Sequence, residues 1–236
     1  MKLGIMQPYF LPYLGYFSLI KNTDEWVVFD NVQYINRGWI NRNRILSESK
    51  DGVAYITIPV IKQSREMLIM DTMIDDSQNW REKIFGQVNF YKKKAPYYLN
   101  SMQLIKKILD FDTDKISELN TNALKVICDY LELDFKYSVF SKNPMGIVSV
   151  SEPDEWALKI SIANGANTYI NPPGGKSFFN KNKYEKAGIE LKFLNQKLNP
   201  YETLNQSFIP GLSILDVMMF NSPKSINKML DDYELE

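Results

Sequence analysis

No histidine occurs among the 236 residues. That absence removes the Ser-His-Asp triad, the Cys-His dyad, histidine-ligated zinc and any imidazole general base, and no metal site is expected. Acid and base work falls to Asp, Glu, Tyr, Lys or bound water. The one cysteine, Cys128, excludes an internal disulfide framework and makes the cytosol (a cytoplasmic setting) the natural compartment. Net charge is missing as well, with 28 Lys+Arg against 28 Asp+Glu, so no global field gathers DNA, RNA or anionic membrane, and DNA is not an expected partner. Long apolar runs are also absent. None approaches the ~18 residues of a membrane span, and the apolar start after Met1-Lys2 is broken by Gln7, Pro8, Pro12 and Gly15 without a small-x-small cleavage site.

What is present is ordinary globular material rich in rings: 44% hydrophobic residues, with 14 Tyr and 13 Phe. The length suits a single α/β domain over 1–236 with an appended helical part. Lys2 to Met6 reads as a buried strand, Gln7 to Pro12 as an irregular turn, Tyr13 to Lys21 as a helix and Trp26 to Asp30 as a second strand. This is the opening βαβ unit of a Rossmann-like, mainly parallel sheet. Val53 to Val60 and Leu68 to Ile74 alternate as further strands, and Arg37 to Arg44 reads as a loop or hairpin between sheet elements. A mainly helical segment spans about 77–133: Ser77 caps a long helix to about Lys94, and Tyr97 to Leu109 and Asp114 to Leu133 are two more. Strand character returns at Phe135 to Phe140. Pro153 opens a helix that Gly165 ends, feeding a strand at Asn167 to Ile170. Tyr184 to Ala187 with Gly188 reads as a short helix and Glu190 to Leu194 as a strand. Ser213 caps a final apolar helix through Phe220.

Four clusters stand out. Gln7-Pro8-Tyr9-Phe10-Leu11-Pro12-Tyr13-Leu14-Gly15-Tyr16-Phe17 joins strand to helix, where backbone N–H groups can face an anion; the same residues also suit a packed aromatic turn with Gly15 at a close approach. Asp30, Gln33, Tyr34, Arg37, Trp39, Asn41, Arg42 and Arg44 combine fork-shaped donors for phosphate or carboxylate with stacking surfaces, or form a solvated basic loop. Gly174-Gly175-Lys176-Ser177 has the tail of a phosphate loop, but Ile170 stands where its first Gly belongs, and a plain tight turn with an exposed Lys accounts for it better. Ser213 and Asp216 head the last helix, as cap and dipole partner or as site residues.

The order of these clusters resembles the WbqC-like family of bacterial O-antigen and surface-polysaccharide gene clusters. The resemblance covers nearly the whole chain. It is carried by Gln7-Pro8 with Tyr13-Leu14-Gly15-Tyr16-Phe17, Asp30 with Gln33-Tyr34, Asn41-Arg42, the strand ending near Pro59, and Leu212-Ser213-Ile214-Leu215-Asp216. Where members often carry a histidine on the helix after Trp80, this chain reads Lys83-Ile84-Phe85-Gly86. A weaker resemblance links Tyr13-Leu14-Gly15-Tyr16 to the H-x-G-H motif of nucleotidylyltransferases, with both histidines replaced by tyrosine.

Some members are described as glycine transferases. The resemblance therefore implies an aminoacyl (glycyl-type) or acyl transferase forming an amide on a nucleotide-linked amino sugar. In that expectation Arg37, Arg42 and Arg44 hold a pyrophosphate or carboxylate, and Trp39 or Tyr34 stacks on a ring. Asp30 or Asp216 accepts the ammonium proton. Gln7, Tyr13, Gly15, Tyr16, Gln33, Asn41, Gly174, Gly175, Lys176 and Ser213 complete the expected binding surface. The amino acid or acyl donor is activated by ATP or arrives on a carrier; tRNA enters only as such a carrier. The competing expectation is a noncatalytic protein that binds a sugar nucleotide or a partner enzyme through the same surface.

Overall fold

The computed structural model describes residues 1–61, 64, 66–203 and 208–236. Among them, six strands form one sheet in the order β5-β2-β1-β6-β7-β8: β1 (Lys2–Met6), β2 (Glu25–Val28), β5 (Tyr137–Val139), β6 (Thr168–Asn171), β7 (Glu190–Gln196) and β8 (Tyr233–Leu235). Every pairing is parallel except β7 with β8. This is the Rossmann-like α/β architecture. The chain moves from β1 to β2 and β5 on one side, then returns past β1 to place β6 and β7 on the other. The crevice outside the carboxyl ends of β1 and β6 is therefore the topological switch point.

Period-two alternation splits each strand between two apolar layers. Leu3, Ile5, Val27, Tyr169, Leu191 and Phe193 face the smaller layer, whereas Trp26, Val28, Ile170 and Leu194 face the larger one. Gly4 permits this packing, because a Cβ there would lie 2.5 Å from the Trp26 ring. The larger layer also holds α1 (Leu14–Lys21) and the helices of the middle segment, α2 (Trp80–Val88), α3 (Tyr98–Leu109) and α4 (Ile116–Tyr130). α5 (Glu155–Ala163) and α6 (Lys181–Lys186) serve the smaller layer.

Several expectations shift. Arg42–Leu46 (β3) and Val53–Thr57 (β4) pair antiparallel as a separate hairpin. The alternating run Leu68 to Ile74 is a 3-10 turn (Ile69–Asp71) tied by isolated bridges at Leu68 and Ile74, because its neighbours offer single contacts and no continuous ladder. Ser77 caps no helix: its N–H and hydroxyl both bond the Asp75 carboxylate, and α2 starts after Asn79. That helix ends at Val88 and a 3-10 turn, Asn89–Tyr91, follows. α7 (Ile214–Phe220) is not the last element, since α8 (Pro223–Leu230) and β8 come after it. The polar connection before α7 lies outside the described residues at 204–207.

The turn from β1 to α1 is irregular, and Leu11 adopts a left-handed φ of 43°. A non-glycine residue holds that conformation only where its surroundings over-determine it. Here distant side chains take the turn's carbonyls. The Tyr16 hydroxyl donates to Gln7 O (2.9 Å), Asn120 Nδ2 to Pro8 O (2.8 Å), and Asn43 Nδ2 to Phe10 O (3.0 Å) and Leu11 O (2.8 Å). Ser213 Oγ also donates to Leu11 O (2.7 Å) while it caps α7 through Leu215 N. Buried carbonyls need such partners.

Two buried carboxylates fasten other elements. Asp30, just after β2, accepts bonds from Ser117 Oγ of α4 and from Ser141 N and Oγ beyond β5, at 2.8–3.0 Å. Asp216, on α7, accepts from the Tyr91 and Tyr201 hydroxyls at 2.5 Å each, and Leu46 N of β3 donates to the Tyr91 oxygen (2.9 Å). Burial raises the Asp216 pKa above the ordinary carboxylate value, against the pull of the two tyrosine donors.

Two outcomes follow for stability. Asn43→Ala, which strips the Phe10 and Leu11 carbonyls of a donor, lowers unfolding free energy by about 3 kcal/mol in urea titrations; a change below about 0.5 kcal/mol would show that the turn holds itself. For Asp216, the native state binds the proton more tightly than the unfolded chain, whose value is about 3.9. Its contribution is thus fully present below that value and is lost as pH rises through the raised native one. Unfolding free energy of Asp216→Asn measured across this window should fall less with pH than that of the wild type, and an identical slope would contradict the assignment.

Candidate functional site

A cavity of about 920 Å³ opens at the switch point. The carboxyl end of β1 and its turn contribute Met6, Gln7, Tyr9 and Tyr13; the crossing after β2 contributes Phe29, Gln33 and Trp39; the far wall comes from Trp156 of α5 and from Tyr169, Asn171, Gly174 and Gly175 around the end of β6. Its lining among the described residues contains no Asp, Glu, Lys or Arg. Rings dominate, with amides and hydroxyls between them. Binding sites for ring-bearing polar molecules have this character, a mostly apolar enclosure with a few polar groups that fix orientation.

The polar groups differ in what they have free. Among the described residues the Gln7 amide, the Tyr9 and Tyr13 hydroxyls and the Trp156 indole N–H have no hydrogen-bond partner, whereas the Tyr16 hydroxyl is committed to Gln7 O and Asn171 Oδ1 to the Tyr169 hydroxyl (2.9 Å). Burial raises the pKa of Tyr9, Tyr13 and Tyr16, and the neighbouring Tyr13 adds to the effect at Tyr9. All three are therefore neutral hydroxyls at neutral pH. Gly15 lies against the Tyr13 ring, which a Cβ there would meet at 2.5 Å, and a Cβ at Gly175 would meet the Asn171 amide at 2.3 Å. Both glycines act by making room.

Of the residues singled out in the sequence, Gln7, Tyr13, Tyr16, Gln33, Trp39, Gly174 and Gly175 line this cavity together. The others lie elsewhere. Tyr34 is half-buried near Arg42. Arg42 stacks on Tyr55 (4.4 Å to the ring centroid) and bonds Arg37 O, and the Arg37 side chain is exposed. Asn41 Nδ2 donates to Ile58 O within the hairpin region (2.8 Å). Arg44 sits beside Trp39, outside the lining. Lys176 is exposed and pairs with Glu236. Ser213 supports the turn, and Asp216 lines no described cavity. Asp30 borders a second hollow of about 610 Å³, whose wall carries both signs of charge from Asp71, Glu118, Lys115 and Lys142.

Sequence reasoning left out Asn43, which both lines the cavity and clamps the turn, and Asn120, Tyr9, Asn171 and Trp156. Tyr9 stood inside the first cluster, Asn43 between Arg42 and Arg44 of the second, and Asn171 three residues before Gly174 of the third. Asn120 and Trp156 sit in helices whose sequence pattern gives no sign of what they face. Among the described residues no group of three or more Cys, Asp or Glu is placed to hold a metal ion, and no helix is long and apolar enough to cross a membrane.

No solved structure matches the chain. An uncharacterized protein, Rv1507c of Mycobacterium tuberculosis (strain ATCC 25618 / H37Rv), is 27% identical over 223 residues, covering 93% of each chain. The WbqC-like protein family matches residues 7–228. That span runs from the cavity's own Gln7 through the turn, the hairpin and α7, nearly the whole architecture described above, and the chain accordingly belongs to the WbqC-like family.

Proposed function

We propose that the switch-point cavity binds a nucleotide-linked amino sugar and that the protein transfers an aminoacyl (glycyl-type) or acyl group to its amine, as a step in surface-polysaccharide assembly. The observation that carries this reading is the lining itself: a ring-walled, uncharged enclosure with unengaged amide, hydroxyl and indole donors, at the place where open α/β sheets take nucleotides. Its volume, about 920 Å³, suits a ligand with two rings. Amide formation breaks the bond between the acyl carbon and its activating group and forms one to the sugar nitrogen, with a proton leaving that nitrogen. The activating group is a carrier or one made with ATP. With only neutral tyrosines and amides in the wall, the site contributes mainly by alignment, where effective molarities reach about 10⁵ to 10⁸ M. The proton then leaves to solvent, and Asp30 and Asp216 serve as fasteners for the walls.

The same uncharged lining also favours a second reading, a noncatalytic sugar-nucleotide-binding protein. The two separate in a mass-spectrometric screen of the purified protein with UDP- and dTDP-linked amino sugars, amino acids, ATP and, separately, charged tRNA. The expected product is an aminoacyl or acyl amide of the sugar nucleotide. Binding without any mass gain would establish the noncatalytic reading, and absence of binding would remove both. For the wall itself, Gln7→Ala should weaken sugar-nucleotide affinity roughly tenfold by calorimetry, the worth of one hydrogen bond to a ligand, with the melting temperature unchanged because the amide has no partner among the described residues. Equal affinity in the variant would place the ligand elsewhere.

A further inference from the structure

Arg44 is the member of the arginine cluster whose surroundings are incomplete. Its guanidinium lies 5.7 Å from the centroid of Trp39 and donates one long bond, Nη2 to Gly211 O at 3.4 Å. Its Nε is shut off from solvent and has no acceptor among the described residues. No carboxylate among those residues comes within 4.0 Å of it. An exposed arginine needs no counter-ion, but a half-buried one that has given up part of its hydration without an anion is left short of acceptors. Arg42 differs: it finds two carbonyls, of Arg37 and Gly38, and the Tyr55 ring. Both residues next to the Arg44 guanidinium, Trp39 and Gly211, line the cavity.

We infer that Arg44 is the anion contact of this cavity, holding a phosphate group of the ligand at the Trp39–Gly211 end while the uncharged wall holds its rings. The ligand then has a direction. Its phosphates lie toward the β3 hairpin and its rings toward Trp156 and Tyr169, because a charged group elsewhere along the lining would exchange its hydration for neutral donors alone. A guanidinium suits the task, since it presents a flat fork to two phosphate oxygens and keeps its charge when partly desolvated. The nucleotide part of this inference rests on the proposed function; the anion contact stands on the side chain's own geometry.

The test uses the full chain and three probes: inorganic pyrophosphate, UDP and uridine, titrated by calorimetry into wild type, Arg44→Gln and Arg44→Lys. Charge-assisted bonds of this kind correspond to a loss of roughly 10- to 100-fold. The expected result is that loss for pyrophosphate and UDP in Arg44→Gln, a smaller loss in Arg44→Lys, and unchanged uridine affinity. Pyrophosphate and UDP affinities within twofold of wild type in Arg44→Gln would overturn the inference, as would a wild type that binds no pyrophosphate. Pyrophosphate binding that depends on Arg44, without binding of UDP or uridine, would keep the anion contact and discard the nucleotide reading. Should Arg44→Gln fail to fold, phenylglyoxal modification of wild-type Arg44, mapped by peptide mass spectrometry, gives the same answer: pyrophosphate slows it if the contact is real and leaves it unchanged if not.

Discussion

The fold around the site depends on one arrangement: the carbonyls of the turn from Gln7 to Pro12 are held by side chains from four separate parts of the chain. Tyr16 comes from α1, Asn43 from the hairpin, Asn120 from α4 and Ser213 from the head of α7. A turn between a parallel strand and its helix has no ladder of its own, and this one carries a left-handed leucine in addition. Without those donors its carbonyls would be buried and unpaired, a cost of about 1–3 kcal/mol each. Meeting that need draws the hairpin, the helical segment and α7 onto the end of β1. The result is a wall that places Gln7, Tyr9 and Tyr13 at the cavity.

Charge is organised around the same constraint. The two carboxylates that are fully buried near this architecture, Asp30 and Asp216, are each surrounded by hydroxyl or N–H donors and spend their acceptor capacity inside the protein. The cavity at the sheet end is left, among the described residues, to rings, amides and hydroxyls. In such surroundings a lone charge is expensive to hide, and Arg44 is placed at the margin, against Trp39 and Gly211. On the proposed reading, such an enclosure discriminates by shape and hydrogen bonding along most of its length and by charge at one end.

Much of this was legible before any coordinates. The buried strands read at Lys2 to Met6 and Trp26 to Asp30, and the strand read at Glu190 to Leu194, marked the parallel sheet, since a strand covered on both faces carries apolar residues with little alternation. The aromatic turn after β1 and the glycine pair after β6 stood out as loops at strand ends, and both line the cavity. Arginine content was a poorer guide. Arg37, Arg42 and Arg44 look alike in sequence, yet one is exposed, one lies on a tyrosine inside its own hairpin region and one stands beside the cavity. Asp30 and Asp216 likewise drew notice as acids near motifs, while their donors Ser117, Ser141 and Tyr91 lie 87 or more positions away.

Local order therefore came from the sequence itself: the absence of histidine, the βαβ opening, the helical middle and the loops at the strand ends, because propensity, capping and periodicity act over a few residues. Tertiary structure decided what those pieces do. Which asparagine clamps a turn, which arginine keeps a buried Nε without an acceptor among the described residues and which tyrosines keep a free hydroxyl among them are questions about partners far off in the chain. Hydrogen bonding and desolvation are settled by distance in space, and only the folded protein brings Asn120 to Pro8, or Trp156 across the cavity from Gln7.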